Sequence, residues 1–102
     1  ETLNVSDTTV TAADNGFINK SKAGNVTVTG STIRAGRYFL RTANAGVHLT
    51  ATGNTIEVYE SEGTAYLVCF RGSNESATFS GGSIAAGYTT KGVDANSTLT
   101  IN

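Results

Sequence analysis

The stretch Leu49-Thr50-Ala51-Thr52-Gly53-Asn54-Thr55-Ile56-Glu57-Val58 decides how the rest of the chain reads. Leu49 and Ala51 alternate with Thr50 and Thr52, and a period of two means a strand with one face turned inward. Gly53 interrupts the run at a bend, where glycine enters because it accepts positive φ at no steric cost. Ile56 then begins a second strand pointing inward again.

The same pattern recurs up and down the chain. It is found from Leu3 (Leu-Asn-Val-Ser-Asp-Thr-Thr-Val), from Val26 (Val-Thr-Val-Thr-Gly-Ser-Thr-Ile), from Ala77 (Ala-Thr-Phe-Ser-Gly-Gly-Ser-Ile) and, truncated, at Leu99-Thr-Ile-Asn. The offsets between units are 23, 23, 28 and 22 residues. Columns keep their chemistry: Leu3, Val26, Leu49, Ala77, Leu99; Val5, Val28, Ala51, Phe79, Ile101; Val10, Ile33, Ile56, Ile84. A turn column holds Asp7, Gly30, Gly53 and Gly81, and a small-residue column holds Thr9, Thr32, Thr55 and Ser83. A third apolar cluster aligns more loosely: Phe17-Ile18, Tyr38-Phe39-Leu40, Tyr66-Leu67-Val68-Cys69, then only Tyr88 and Val93. A repeat of this length whose unit cannot bury its own apolar face is the sequence form of a solenoid.

The expectation is an all-β chain: one short parallel β-helix domain over residues 1–102, of about four coils with roughly 23 residues and three strands each. The coils fall near 3–25, 26–48, 49–76 and 77–98, with a closing strand at 99–102. The third is longer by about five residues, placed near Ser61-Glu62-Gly63 or near Arg71-Gly72-Ser73-Asn74-Glu75. Insertions in solenoids map to corner loops.

Composition agrees. Of 102 residues, 17 are Thr and 12 Gly, while Pro, Met, Trp and Gln are absent, so strands are Thr/Val-rich and turns fall to Gly, Asn, Asp and Ser. Seven Lys/Arg against eight Asp/Glu give a net charge of −1, which carries neither a basic nucleic-acid footprint nor a polybasic membrane patch. No apolar run reaches the roughly 18 residues of a membrane span.

In its columns the sequence resembles the right-handed parallel β-helix class, over about Leu3 to Ile101. That class includes bacterial autotransporter passengers and adhesins, phage tailspikes and pectate-lyase-like enzymes. The resemblance is one of architecture and implies right-handed coils and an extracellular or cell-surface setting. The lyases of the class use clustered carboxylates with calcium and a basic residue. The columns contain no such acidic cluster, and Asp7 and Asp94 stand alone. No enzyme and no cofactor is expected.

The charges stack instead. Asp14, Arg37, Glu60 and Tyr88 share one column and Thr11, Arg34, Glu57 and Ala85 another, so opposite charges meet on neighbouring units and penalise slips of register. His48, in a column with Asn25, Ser76 and Thr98, reads as a solvated corner residue, without the further His or Cys ligands a zinc site needs. Cys69, the one cysteine, reads as a buried core thiol.

The candidate binding face lies between the inward residues of the first strand of each unit. It comprises Thr27, Thr29, Thr50, Thr52, Thr78, Ser80 and Thr100, a two-column ladder of hydroxyls. Threonine stacks well across strands, so strand propensity alone accounts for such a ladder. Its Thr-x-Thr rows are also similar to those of solenoid antifreeze proteins, which implies ice binding. The first and last strands occupy the same phase, and the chain opens on Glu1 rather than Met. The expected partners are therefore further copies stacked end to end, or adjoining coils of a longer chain, with a surface or a glycan as ligand. The functional expectation is a structural or adhesive element: a stalk, fibre subunit (phage tail fibres included) or passenger segment.

Overall fold

The computed structural model describes residues 2–19, 23–42, 46–60, 65–86, 88–91 and 97–102. In chain order the strands are β1 (Thr2–Ser6), β2 (Thr9–Ala12), β3 (Asn15–Asn19), β4 (Gly24–Thr29), β5 (Thr32–Ala35), β6 (Tyr38–Thr42), β7 (Val47–Thr52), β8 (Thr55–Val58), β9 (Tyr66–Cys69), β10 (Ser76–Ser80), β11 (Ser83–Ala85), β12 (Tyr88–Lys91) and β13 (Thr98–Ile101). They form three sheets, ordered β1-β4-β7-β10-β13, β2-β5-β8-β11 and β3-β6-β9-β12. Among the described residues every pairing is parallel and no helix occurs. Each strand thus lies beside the one three places along the chain, an arrangement compatible with a β-solenoid.

The register matches the sequence columns in the first two sheets. Val26 pairs with Leu49 and Val28 with Ala51; Ile33 pairs with Ile56, and Ile56 with Ile84. Exposure alternates strictly along β7, where Val47, Leu49 and Ala51 are buried and His48, Thr50 and Thr52 are exposed. The bend column is set by backbone conformation, with φ of 49° at Asp7, 58° at Gly30, 66° at Gly53 and 67° at Gly81. These corners bond to one another: Asp7 N donates to Thr29 O, Gly30 N to Thr52 O and Gly53 N to Ser80 O, at 2.8–3.1 Å. The inward residues of all three sheets form one apolar cluster, in which the rings of Phe39 and Phe79 meet edge to face at 5.4 Å.

The third sheet departs from strict alternation. Its pairing skips Gly16, Phe39 and Leu67, and there two successive residues turn inward: Phe39 with Leu40, and Leu67 with Val68. This break is why the third apolar cluster aligns loosely by sequence.

One column needs correction. The offset between paired residues is still 23 at Arg34 and Glu57, and Glu60 N bonds Gly36 O, but it is 28 at Tyr38 and Tyr66. The five extra residues therefore lie between Glu60 and Tyr66, the first of the two expected places; residues 61–64 are outside the described ones. Arg71 to Glu75 add nothing to the offset, since Arg41 pairs with Cys69 and His48 with Ser76 at the same 28. In consequence Tyr88 lies beside Tyr66 and not in the Glu60 column. Val93 and Asp94 are outside the described residues.

At the two ends of the first sheet the inward columns open to solvent. Leu3 is 46% exposed and Ile101 48%, against 6% or less for Val26, Val28, Leu49, Ala51, Ala77 and Phe79 between them.

Candidate binding face

The seven ladder residues come together as their spacing predicts. Thr27 pairs with Thr50, Thr50 with Thr78 and Thr78 with Thr100; in the parallel column Thr29 pairs with Thr52 and Thr52 with Ser80. Parallel neighbours sit about 4.8 Å apart, so the hydroxyls form two regular rows, one of four across β4, β7, β10 and β13 and one of three across β4, β7 and β10. Thr29, Thr50, Thr52 and Thr100 are exposed, and Thr27, Thr78 and Ser80 are half-buried. On β1 the second row continues in the hydroxyl of Ser6, while the first ends in the amide of Asn4. Each hydroxyl offers one donor and two acceptor positions to a ligand or to water.

One charged pair lies on the second sheet and another at the corner that follows it. Arg34 Nε donates to Glu57 Oε1 at 3.0 Å, and its guanidinium lies 3.9 Å from the centre of the Tyr59 ring. Both members of the pair are about half exposed, so the contact fixes register more than it adds stability. Asp14 and Arg37 are adjacent as expected, at the longer distance of 3.8 Å. His48 is exposed, with Nδ1 2.7 Å from Ser76 Oγ. Cys69 is buried. Among the described residues no three of His, Cys, Asp and Glu lie close enough to hold a metal ion.

Two polar arrangements are not apparent from the repeat. Glu75 is 1% exposed, and its carboxyl oxygens accept from Thr42 Oγ1 at 2.5 Å, Gly72 N at 2.8 Å and Val47 N at 3.2 Å. Thr42 Oγ1 in turn accepts from Arg71 N at 2.8 Å. This network satisfies backbone donors where the chain turns from the third sheet into the first. The signal for it is weak: Glu75 reads as one more surface loop residue until its neighbours are placed. The second arrangement gathers Arg37, Arg41 and Arg71 along one cleft beside the third sheet. Arg41 is legible only through its pairing with Cys69, because the offset of 28 must be known first.

No protein-family model, curated protein or solved structure matches this chain.

Proposed function

We propose that the chain is a non-enzymatic structural or adhesive β-solenoid. In this reading it has four coils of three strands plus a closing strand, and serves outside the cell or at its surface as a stalk, fibre subunit or passenger segment. The observation that carries it is the stack itself. Inward apolar residues sit beside one another through the first two sheets, and the apolar columns of the first end exposed at Leu3 and Ile101. Open strand edges above apolar columns favour a further layer, either a second copy or adjoining coils of a longer chain. A repeated head-to-tail contact builds open filaments. Handedness is taken from the β-helix resemblance, and phage-fibre architecture belongs to the same reading.

Electron microscopy with sedimentation of the purified chain tests it. Rods or filaments several times longer than the 30 Å dimension of one chain are expected, and Leu3→Lys with Ile101→Lys should dissolve them. A chain that stays monomeric at millimolar concentration would overturn self-stacking.

The continuous register of Thr27, Thr50, Thr78 and Thr100 favours one second reading, ice binding through the ladder. Thermal hysteresis that disappears in Thr50→Tyr would support it, and its absence in the unaltered chain removes it.

A further inference from the structure

Beside the third sheet a half-enclosed cleft of about 660 Å3 is lined by Asp14, Asn15, Tyr38, Arg37, Arg41 and Arg71 among others. Three of the four arginines of a chain with net charge −1 thus converge on one hollow. The fold delivers them from separate places. Arg37 stands at the corner before β6, Arg41 lies within β6, and Arg71 follows β9, its backbone N–H held by the Thr42 hydroxyl.

The lining is not neutralised from within. Asp14 faces Arg37 at 3.8 Å, but among the described residues Arg41 and Arg71 form no ion pair. Arg37 Nε, 3.8 Å from Asp14 Oδ1, and Asn15 Oδ1 are closed to solvent, so contacts with anything in the cleft fall to Arg41, Arg71 and the half-exposed Asp14 carboxylate. A guanidinium matches a carboxylate through its planar fork of donors. An exposed carboxylate such as that of Asp14 accepts from hydroxyl groups. One wall is stiffened by Tyr38, whose ring is stacked on Tyr66 at 6.2 Å with the Arg37 guanidinium 5.6 Å from its centre. A ligand with both a carboxylate and hydroxyl groups can meet the arginines with the one and donate to the Asp14 carboxylate with the other, whereas a bare inorganic anion has nothing to donate to Asp14.

We propose that this cleft binds the acidic unit of a glycan, with Arg41 and Arg71 on the sugar carboxylate and the Asp14 carboxylate accepting from a sugar hydroxyl. The site is separate from the threonine ladder and stands whether or not the chain stacks into filaments.

Calorimetric titration of the whole chain tests it with four probes: a hyaluronan tetrasaccharide (which carries glucuronate), neutral chitotetraose, a tetraglutamate peptide and sodium sulfate. The hyaluronan tetrasaccharide should bind with a Kd below about 1 mM, and the other three at least about tenfold more weakly. Arg41→Ala and Arg71→Ala should each weaken the acidic sugar about tenfold or more, while Arg34→Ala on the second sheet leaves it unchanged. Thermal melts of the variants separate lost binding from lost fold. Equal binding of chitotetraose, of tetraglutamate or of sulfate would overturn the assignment. So would no binding of the acidic sugar, or undiminished binding by a folded Arg41→Ala chain.

Discussion

Glu75 and Gly82 show how far single residues in this fold are committed by their neighbours. Gly82 has φ of +66°, and a Cβ placed there would run into the backbone of Asn54 in the adjoining corner. Gly53 has the same φ, but nothing lies within 4 Å of its Cβ position. Gly53→Ala should therefore cost only the left-handed backbone penalty, about 1–2 kcal/mol, and Gly53→Asn less. Gly82→Ala adds a clash with main chain that no rotamer relieves, so at least about 3 kcal/mol is expected. Urea midpoints of the three variants check the order; equal losses would show that the corners relax independently. At Glu75, truncation to Ala leaves Val47 N–H and Gly72 N–H without an acceptor, at a cost of about 3–5 kcal/mol. Glu75→Gln keeps one acceptor oxygen and should lose about 1–3 kcal/mol. A Glu75→Ala chain as stable as the original would mean that water fills the corner. The turn column was legible because positive φ selects Gly, with Asp7 the one exception among Asp7, Gly30, Gly53 and Gly81. Glu75 was not, because what buries it is a set of backbone donors, and a sequence does not display those.

Between strands, the first two sheets carry their register in their side chains and the third does not. Val10, Ile33, Ile56 and Ile84 name their own partners, since slipping by one residue would turn each of them outward. In β6 and β9 two neighbouring residues face the core, so a one-step slip leaves an apolar residue inside and the pattern loses its phase. That ambiguity let Tyr88 be aligned with Glu60, when the five-residue insertion precedes β9 and carries Tyr88 to Tyr66. The Arg34–Glu57 pair is a usable probe of register on the second sheet. Glu57→Arg sets two guanidinium groups side by side and should cost about 0.5–1 kcal/mol. The double exchange, Arg34→Glu with Glu57→Arg, restores the attraction but takes the cation off the Tyr59 ring. Recovery should therefore stop about 0.5 kcal/mol short of the original. Full recovery in denaturation curves would show that the ring contact contributes nothing, and no recovery would show that the charges do not act through register.

For the whole molecule, the proposed solenoid makes stability a sum over neighbouring layers, since each layer touches only those above and below. Excision of residues 26–48 tests that directly, because 23 residues is the offset of the register through this region. Joining Asn25 to Leu49 would bring Leu3 beside Leu49, Val5 beside Ala51, Val10 beside Ile56 and Ala12 beside Val58. All four are apolar, and the last three repeat pairs already present in the stack, Val28 with Ala51, Val10 with Ile33 and Ala35 with Val58. The cut removes the buried Val26, Val28, Ile33, Phe39 and Leu40, Ser31, which gives its N–H to the Asn54 side chain at 2.8 Å, and the Glu75 donors Thr42 and Val47, whose register positions pass to Asn19 and Gly24. Phe79 loses its aromatic neighbour Phe39 but keeps Leu67 and Phe70 within the same cluster. The shortened chain should therefore keep a parallel-β circular dichroism spectrum. Its urea m-value should fall by about a quarter, in step with the surface buried, and its midpoint should drop. A core of independent layers predicts this graded loss. If the shortened chain stayed unfolded even in about 1 M trimethylamine oxide, which strengthens burial generally, the layers would be joined by packing that crosses the whole interior. The apolar columns would then describe one indivisible core and not a stack.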